Sequence, residues 1–448
     1  MRIVLSSVIV WSMMCCLSYA EDSARKPNII FILADDQGWT ALGEKMDPDV
    51  EGSCSDYYRT PNLDKLAQDG MRFSQGYAPA PVCSPTRHSI QFGKTPANIR
   101  VTYNNAGKRQ HCDPQFALAN LVKAADASYV TAHFGKWHIS FKPSDCGFDF
   151  DDGIRSNSQR SEDERKTDPK FIYSLTSKAT EFIENQVKAG KPFYLQISHF
   201  ADHVRFESKP ETVAEYKKRE VGSKHKDPVF AAMNENLDEG VGMVLKKIEE
   251  LGIADNTYVF YMADNGFDEG HGDERERGAW PLAFSKGYVW EGGVRVPFIV
   301  RGPGIKAGSV SSVQVVGYDL LPTFLEIIKP GFTLPAGLEG GSIMSLLQNG
   351  GDGAVKRPND YFVFHYPSGA WPSTTSIIKD NYKLIKSWED GSLRLFDLSV
   401  DISEAKDLAA EFSEKASELD ETMTAYLKSV NAEIPTAEYL EQKAGKKN

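Results

Sequence analysis

The stretch Asn28-Ile29-Ile30-Phe31-Ile32-Leu33-Ala34 is an apolar run that ends in Asp35-Asp36. An unbroken run of this length is typical of a strand buried on both faces of a sheet. Two adjacent carboxylates at the end of such a strand are costly to bury unless a cation or a basic group meets them. For the pair in isolation, a helix cap or a solvated turn is the favoured interpretation. The run therefore predicts a central strand with a candidate cation-binding position at its end.

Strand and helix patterns alternate along the chain as far as residue 350. Strand patterns cover Tyr129–Phe134, Pro192–His199 and Thr257–Ala263, and helix patterns cover Thr60–Ala67, Phe116–Ala124, Phe171–Ala189 and Met233–Leu251. This alternation predicts an α/β domain with a large, mostly parallel sheet sandwiched by helices, over residues 21–350. In its first helix Thr60 is the expected N-cap, Pro61 takes the first helical position and Gly70 ends the helix.

A glycine-rich link over residues 348–353 predicts a domain boundary between residues 350 and 351. Beyond it lie short strand patterns at Tyr361–Tyr366, Ser376–Ile378, Tyr382–Ser387 and Leu393–Leu398, and then a helix pattern at Phe412–Val430. Residues 351–448 are therefore expected to form a smaller α+β domain of antiparallel strands and a helix. The tail Gln442–Asn448 is expected to be disordered.

Residues 1–20 have the pattern of a secretory signal peptide. Arg2 supplies the positive charge, Ile3–Leu17 is mostly apolar, and Ser18-Tyr19-Ala20 offers small residues at the cleavage positions. The apolar stretch is short and interrupted by serines, which argues against a transmembrane anchor. We expect an exported chain, periplasmic or secreted, without a membrane span in its mature form.

The net charge of the chain limits the classes of partner that it can bind. The chain has 51 Lys and Arg against 62 Asp and Glu, a net charge of -11, and no basic run suited to nucleic acid. We therefore expect no nucleic-acid partner, and a polyanionic substrate would need a local basic pocket.

A second motif, Cys83-Ser84-Pro85-Thr86-Arg87, is followed by a short run that ends at Gly93. Pro85 suits a first helical turn, so Cys83 should lie at a helix N-terminus, where free N–H groups favour anions. Arg87 would stand about one turn along, and Gly93 is a plausible helix stop. The pattern alone fits either such a site or a thiol ahead of an ordinary helix.

Polar residues also follow three other strand patterns, and one of them is His203, which comes after the strand pattern Pro192–His199. Gly135-Lys136-Trp137-His138 follows one strand, and in an extended segment Lys136 and His138 would point to the same face. Asp264-Asn265 follows the strand at Thr257–Ala263. Because ligands of such sheets collect at strand ends, the following side chains are expected to converge: Asp35, Asp36, Lys136, His203, Asp264 and Asn265.

Taken in order, these motifs resemble the type I formylglycine-dependent sulfatases of the alkaline phosphatase superfamily. A further segment, Ser285-Lys286-Gly287-Tyr288-Val289-Trp290-Glu291-Gly292-Gly293-Val294-Arg295-Val296-Pro297, strengthens the resemblance, which spans about Pro27 to Leu408. The chain departs from the common pattern at Thr86, where many members have Ser, and at Gln91-Phe92, where many have Leu-Thr.

The resemblance implies that a formylglycine-generating maturation enzyme oxidises Cys83 to formylglycine (3-oxoalanine). Its hydrate has two hydroxyls, one to attack sulfur and one to expel sulfate afterwards. The resemblance also implies one Ca²⁺ per subunit, held by Asp35, Asp36, Asp264, Asn265 and residue 83. Oxygen ligands suit Ca²⁺ or Mg²⁺ rather than zinc, and the resemblance favours calcium. Outside the leader, Cys54, Cys112 and Cys146 then remain, enough for at most one disulfide.

The remaining roles follow from the same resemblance. Arg87, Lys136 and His138 would hold and activate the hydrate, while Lys286, His203 and Lys136 would bind the sulfate oxygens. His203 is the expected general acid, because a histidine can transfer a proton near neutral pH. Many members have Pro two residues after this histidine, where this chain has Arg205, so His199 is the competing candidate.

The expected substrate is a sulfated carbohydrate, since export places the enzyme among polysaccharides. Candidate contacts outside the motifs are basic (Arg100, Arg205), aromatic (Trp39, Trp280, Tyr366, Trp371) or a histidine (His365). For any one of these aromatic residues taken singly, core packing is the favoured interpretation. Two other functions stay open, a phosphodiester or phosphonate hydrolase using the same site and an inactive glycan-binding homologue.

Overall fold

The computed structural model describes residues 25–104, 111–153, 161–268 and 279–445. The predicted signal peptide, residues 1–20, lies outside these residues. In chain order the strands are β1 (Asn28–Ala34), β2 (Met71–Phe73), β3 (Gly76–Tyr77), β4 (Val130–Gly135), β5 (Phe150–Asp151), β6 (Phe193–Ser198), β7 (Thr257–Ala263), β8 (Phe298–Arg301), β9 (Ser309–Ser311), β10 (Val315–Val316), β11 (Tyr361–Tyr366), β12 (Thr374–Lys379), β13 (Tyr382–Ser387) and β14 (Leu393–Asp397). The helices are α1 (Pro61–Asp69), α2 (Cys83–Phe92), α3 (Pro96–Ile99), α4 (Leu118–Ala125), α5 (Glu162–Thr167), α6 (Ile172–Lys188), α7 (Pro210–Tyr216), α8 (Pro228–Glu250), α9 (Glu291–Val294), α10 (Leu320–Ile328), α11 (Met344–Gln348), α12 (Ser413–Ser429) and α13 (Ala437–Gly445).

The main sheet has the strand order β5-β4-β6-β1-β7-β8-β2-β9. The five strands from β5 to β7 are parallel, and β8 is antiparallel to β7 and to β2. All seven residues of β1 are buried, because both faces of this central strand are covered. Phe324 of α10 packs against Phe31 of β1 and Phe260 of β7, while α6 packs on β4 and β6. The prediction of a large, mostly parallel sheet with helices is confirmed.

Helix α1 begins at Pro61 as predicted, but Thr60 does not cap it with its side chain. The Thr60 hydroxyl donates to Asp64 Oδ1 at 2.8 Å instead. The carboxylate of Asp238, on α8, accepts the backbone N–H groups of Asn62 and Leu63 at 3.1 and 2.7 Å. A long-range carboxylate therefore replaces the local cap, which a local pattern does not reveal.

Helix α2 places Cys83 at its first position, as the sequence predicts. It ends at Gly93, whose backbone is left-handed with φ 63° and whose N–H donates to Ser89 O. All ten residues of α2 are buried, so its N-terminal turn is held inside the protein rather than on a surface loop. This burial fixes the position of residue 83 relative to the sheet.

Strands β11 to β14 form a separate antiparallel sheet in sequence order, and α12 packs against it. The predicted antiparallel sheet and packed helix are therefore confirmed. Apolar side chains of this sheet, such as Phe362 and Phe364, share a cluster with Tyr77 and Val82 near the start of α2. The boundary at residue 350 stays a prediction.

The prediction of a disordered tail is wrong for residues 442–445, which belong to α13. This helix is anchored by long-range contacts, because Lys443 Nζ donates to Trp371 O at 2.5 Å and to Ser373 Oγ at 3.0 Å. Within the described ranges, no helix is long and apolar enough to cross a membrane.

Candidate active site

The parallel strands deliver their polar ends to one edge of the main sheet. Asp35 and Asp36 follow β1, Asp264 and Asn265 follow β7, and all four are buried. The N-terminus of α2 brings Cys83 to the same place. One potential ligand atom from each of four residues lies within 4.8 Å of all the others: Asp35, Asp36, Cys83 and Asp264.

Cys83 is buried against this acidic group. Its Sγ lies 3.4 Å from Asp35 Oδ1 and 3.8 Å from Asp36 Oδ1. Burial, followed by the charge of Asp264, raises the pKa of the Cys83 thiol well above its usual value. An unmodified Cys83 would therefore stay a protonated thiol, which is a weak nucleophile.

Each of the three carboxylates is matched by a basic side chain. Lys136 Nζ lies 2.8 and 2.6 Å from the two oxygens of Asp35. Arg87 Nη2 lies 2.7 Å from Asp264 Oδ2, and Lys286 Nζ lies 2.6 Å from Asp36 Oδ2. These ion pairs offset part of the cost of burying three negative charges together.

The pKa values of Asp35 and Asp264 are shifted in opposite directions. Burial raises the pKa of Asp35, but the neighbouring positive charges, led by Lys136, outweigh it and hold this pKa well below its usual range. Burial and the charge of Asp35 raise the pKa of Asp264 to about 6, despite its contact with Arg87. A cation bound among these oxygens would favour the ionised form of both groups.

The oxygen atoms present fit a hard divalent cation. Asn265 Oδ1 is buried without a hydrogen-bond partner in the described structure, while its Nδ2 donates to Asp36 Oδ1 at 2.8 Å. Asp36 has a left-handed backbone, φ 60°, and its N–H donates to Asp264 Oδ1 at 3.2 Å. A buried amide oxygen without a partner, next to three carboxylates, is compatible with the oxygen ligands that Ca²⁺ or Mg²⁺ binds. The strained Asp36 backbone is also typical of a functional site.

The basic residues are tied together by the backbone of the β4 end. Arg87 Nη1 donates to Lys136 O at 2.6 Å, and Lys136 N donates to Ser198 O at 2.8 Å. The segment after Lys136 is not extended, because His138 has φ 54°, so the argument from strand alternation fails there. Burial, followed by the charges of Lys136 and Arg87, lowers the pKa of His138 to about 3.

The two candidate histidines after β6 occupy different environments. The His203 side chain is 30% exposed, and its Nε2 lies 3.8 Å from Asp36 Oδ2. Its Nδ1 donates to the carbonyl of Val204, which leaves Nε2 directed toward the site. His199 is fully buried, and neither ring nitrogen has a hydrogen-bond partner in the described residues. Burial lowers the pKa of His199 to about 4.

Two acidic residues near the site were missed by sequence reasoning. Asp268 Oδ2 lies 3.4 Å from Lys286 Nζ, and its place shortly after Asp264-Asn265 was the available signal. Asp202, next to His203, is buried, and neither of its carboxylate oxygens has a hydrogen-bond partner among the described residues. Burial, with the charge of Asp36, raises the pKa of Asp202 well above its usual value. No local pattern marks Asp202 as buried.

The predicted aromatic contacts separate into buried and accessible residues. Trp39 and Tyr366 are buried, so their rings are core rather than sugar-stacking surfaces. His365 is also buried, with its ring between Thr375 Oγ1 and Glu433 O at 2.7 Å each, which is a structural position. Trp280 is 37% exposed, but Lys224 Nζ lies 3.9 Å from its ring centroid. Trp371 is half-buried beside the segment that carries Lys286.

The outer basic residues differ in exposure, and the cysteines form no disulfide within the described residues. Arg205 is exposed two positions after His203, and Arg100 is half-buried with its Nε unpartnered in the described structure. Outside the leader, all four cysteines carry free thiols: Cys54, Cys83, Cys112 and Cys146.

Comparison with known families assigns the chain. The sulfatase family model matches residues 27–329, and the model of the C-terminal region of N-sulphoglucosamine sulphohydrolase matches residues 278–433. The first match covers β1, α2, β4, β6 and β7, the elements that carry the site.

Individual relatives agree. The chain is 26% identical over 459 residues to an ulvan-active sulfatase of Formosa agariphila, covering 94% of this chain and 85% of that protein. It is 28% identical over 389 residues to N-acetylgalactosamine-6-sulfatase of Homo sapiens, covering 78% and 69%. The crystal structure of Ps i-CgsB in complex with k-i-k-neocarrahexaose shares the fold, with a TM-score of 0.74, 24% identity and coverage of 90% and 93%.

The matched region, residues 27–329, contains the cysteine, the three carboxylates and their basic partners. The chain therefore belongs to the sulfatase family and is a sulfuric ester hydrolase.

Proposed function

We propose that this sulfatase removes sulfate from carbohydrates, with formylglycine at position 83 and a bound Ca²⁺. The observation that supports this most is the meeting of Cys83 with three carboxylates and three basic side chains at one buried edge of the sheet. An ordinary buried thiol would not require such a concentration of charge.

Calcium would be held by the side-chain oxygens of Asp35, Asp36, Asp264 and Asn265, together with residue 83. The orphaned Asn265 Oδ1 and the hard-oxygen character of the set support this assignment. When bound, the ion supplies positive charge that neutralises the carboxylates and polarises a sulfate oxygen. Lys286 and Lys136 would then lose part of their contacts with the carboxylates. Their two ammonium groups would be available to the substrate.

Residue 83 supplies the nucleophile, a hydroxyl of the formylglycine hydrate, in place of a thiol. Arg87 holds Asp264 and the Lys136 carbonyl, and so fixes the helix turn that carries residue 83. Lys136 and His138 surround the same position from the end of β4. These groups orient the nucleophile and keep its surroundings polar while excluding bulk water.

Lys286, Lys136 and His203 are proposed to bind the sulfate oxygens. His203 also donates the proton to the leaving alcohol from Nε2, because Nδ1 already donates to the Val204 carbonyl. Nε2 lies 3.8 Å from Asp36 Oδ2, so the nitrogen assigned to this role faces the carboxylate cluster. His199 has no exposed surface through which to reach a substrate.

A carbohydrate substrate is supported by the names of the relatives, which include an ulvan-active and an N-acetylgalactosamine-6-sulfatase. The signal-peptide pattern of residues 1–20 supports export to the periplasm or the medium, where sulfated polysaccharides are met. The maturation enzyme that converts Cys83 is the expected protein partner.

The test is sulfate release by protein produced with a formylglycine-generating enzyme, with Cys83→Ala as the matched control. The panel holds N-acetylgalactosamine 6-sulfate, carrageenan and ulvan oligosaccharides, 4-nitrophenyl sulfate, a phosphodiester and a phosphonate monoester. We expect release from at least one glycan with kcat/KM above that for the aryl sulfate, and none by Cys83→Ala. Activity on the aryl sulfate with none on any glycan would overturn the carbohydrate assignment. Preference for the phosphorus esters would favour the alternative hydrolase.

A further inference from the structure

We propose that Trp371 positions the sugar ring that carries the sulfate, and that the C-terminal helix α13 holds Trp371 in place. The inference rests on the proposed function, because it concerns the carbohydrate part of the same substrate. It assigns a specificity role to residues 437–445, which follow the region matched by the family models.

Trp371 lies directly on the segment that brings Lys286 to the site. Gly287 follows Lys286, and a Cβ built on Gly287 would meet the Trp371 indole at 2.1 Å. The indole therefore packs against the backbone of Gly287, which only a glycine permits at this distance and at its φ of 88°. The N–H of Gly287 donates to Pro81 O at 2.8 Å, two residues before Cys83. Gly287 therefore connects Trp371 both to Lys286 and to the loop that leads into α2.

The indole is half-buried, with an edge-to-face contact to Tyr366 at 6.2 Å between ring centroids. A tryptophan with one part fixed and one part accessible is suited to binding an amphipathic ring such as a sugar. Because Lys286 Nζ would hold a sulfate oxygen, the carbon skeleton of the ester must extend from the sulfate past the neighbouring surface. Trp371 is an accessible aromatic side chain that packs against that segment from the C-terminal sheet, and Phe284 and Tyr288 are accessible aromatic residues of the segment itself.

The loop 367–373, which carries Trp371 between β11 and β12, is held by α13. Tyr439 Oη accepts the Gly369 N–H at 2.8 Å and donates to Gly369 O at 3.3 Å. Lys443 Nζ donates to Trp371 O at 2.5 Å and to Ser373 Oγ at 3.0 Å. These two side chains of α13 therefore fix the loop on both sides of the indole.

Helix α13 has no buried residue of its own, so core packing does not explain its position. Lys443 Nζ also lies 3.4 Å from Glu389 Oε1, which ties the helix to the turn between β13 and β14. The polar contacts of Tyr439 and Lys443 instead make α13 a brace for the loop. Trp371 is a substrate-binding residue in this proposal, and Tyr439 and Lys443 are positioning residues.

The experiment measures kcat and KM on the panel sugar that the wild type hydrolyses fastest, together with the inhibition constant of inorganic sulfate. Trp371→Ala is expected to raise KM about 10-fold, the loss typical of one aromatic contact at a binding site, with the sulfate inhibition constant within about twofold. Trp371→Phe should recover part of the loss. Tyr439→Phe and Lys443→Met should raise KM in the same direction by a smaller factor, and Lys443→Arg should recover it.

Glu441→Gln, an exposed change on the same helix, is the matched control and should leave KM unchanged. A KM within about twofold of the wild type for Trp371→Ala would overturn the role of Trp371. A raised KM for Trp371→Ala with unchanged KM for both α13 variants would overturn the bracing role. Since Tyr439→Phe removes only one hydroxyl group from a half-buried side chain, it tests the brace even if a Trp371 variant fails to fold. A wild type that hydrolyses aryl sulfate but no sugar would overturn the proposed function and this inference with it.

Discussion

Lys286 and Asp36 form a buried ion pair of 2.6 Å across 250 positions of sequence. The pair exists because the Lys286 segment is hydrogen-bonded on both sides, from Lys286 N to Phe267 O and from Gly287 N to Pro81 O. A buried ammonium needs an anionic partner, and here it has a carboxylate that is also a proposed metal ligand. The pair therefore marks the point where the cation site and the sulfate site meet.

Replacing Lys286 by Met should lower kcat/KM by about 10²–10³, the loss typical of removing one preorganised donor from an active site. Steady-state kinetics on the best panel substrate measures it. Lys306→Met, at an exposed lysine, is the matched control and should be neutral. A loss of less than about threefold for Lys286→Met would remove this lysine from the sulfate site.

Removing divalent cations should abolish activity and lower the melting temperature, because a cation bound only by the folded state stabilises it. The effect reaches about 4 kcal/mol at a free ion concentration 1,000 times Kd. Calorimetry after dialysis against a chelator measures this, and added Ca²⁺ should restore both properties better than Mg²⁺. Asn265→Ala should lower the affinity for Ca²⁺ and so raise the Ca²⁺ concentration needed to restore activity. Asp255→Asn, on the surface, should leave that concentration unchanged. Unchanged activity and melting temperature after exhaustive chelation would contradict the metal assignment.

The two histidines after β6 should behave differently when removed. His203→Ala should slow the hydrolysis of sugar sulfates by about 10²–10⁴, the usual contribution of a general acid, but that of 4-nitrophenyl sulfate far less. Nitrophenolate needs no proton in order to leave. His199→Ala should affect both substrates equally, through folding. Selective loss with His199→Ala, or equal loss on both substrates with His203→Ala, would reject the role given to His203.

His365 should make the protein less stable in mild acid. Burial lowers the pKa of His365 to about 4, below its ordinary value of 6.5, so the folded state favours the neutral ring. Its stabilising contribution is complete above pH 6.5 and is lost as the pH falls toward 4. Between pH 7.5 and 5.5 this single group should cost about 1 kcal/mol. Urea unfolding of wild type and His365→Gln at both pH values measures it, and an equal pH dependence in the two proteins would contradict the assignment.

The sequence predicted the elements whose signals are local. The apolar run Asn28–Ala34 predicted β1 to the residue, and Thr257–Ala263 predicted β7 equally well, because buried parallel strands leave continuous apolar patterns. The convergence of their terminal carboxylates also followed, since parallel strands end at one edge. Gly93 correctly predicted the end of α2, because the residue at that position has a left-handed backbone, which glycine favours.

Long-range contacts account for what the sequence did not predict. The cap of α1 comes from Asp238 rather than Thr60, and the tail is helical because Lys443 binds loop 367–373. Tyr366 is buried and Trp371 is half-buried, although the sequence alone offers both as candidate sugar contacts. Asp202 is recognised as a buried carboxylate only from the fold, because no sequence pattern predicts its burial.

The chemical state of residue 83 tests the central claim most directly. The tryptic peptide of residues 73–87, from active protein made with a formylglycine-generating enzyme, should carry an aldehyde at position 83 in place of the thiol. Tandem mass spectrometry of this peptide, paired with sulfate release by the same preparation, is the measurement. Activity should rise in proportion to the aldehyde fraction and should vanish in Cys83→Ala. Full sulfatase activity from a preparation in which residue 83 is entirely an unmodified thiol would contradict it.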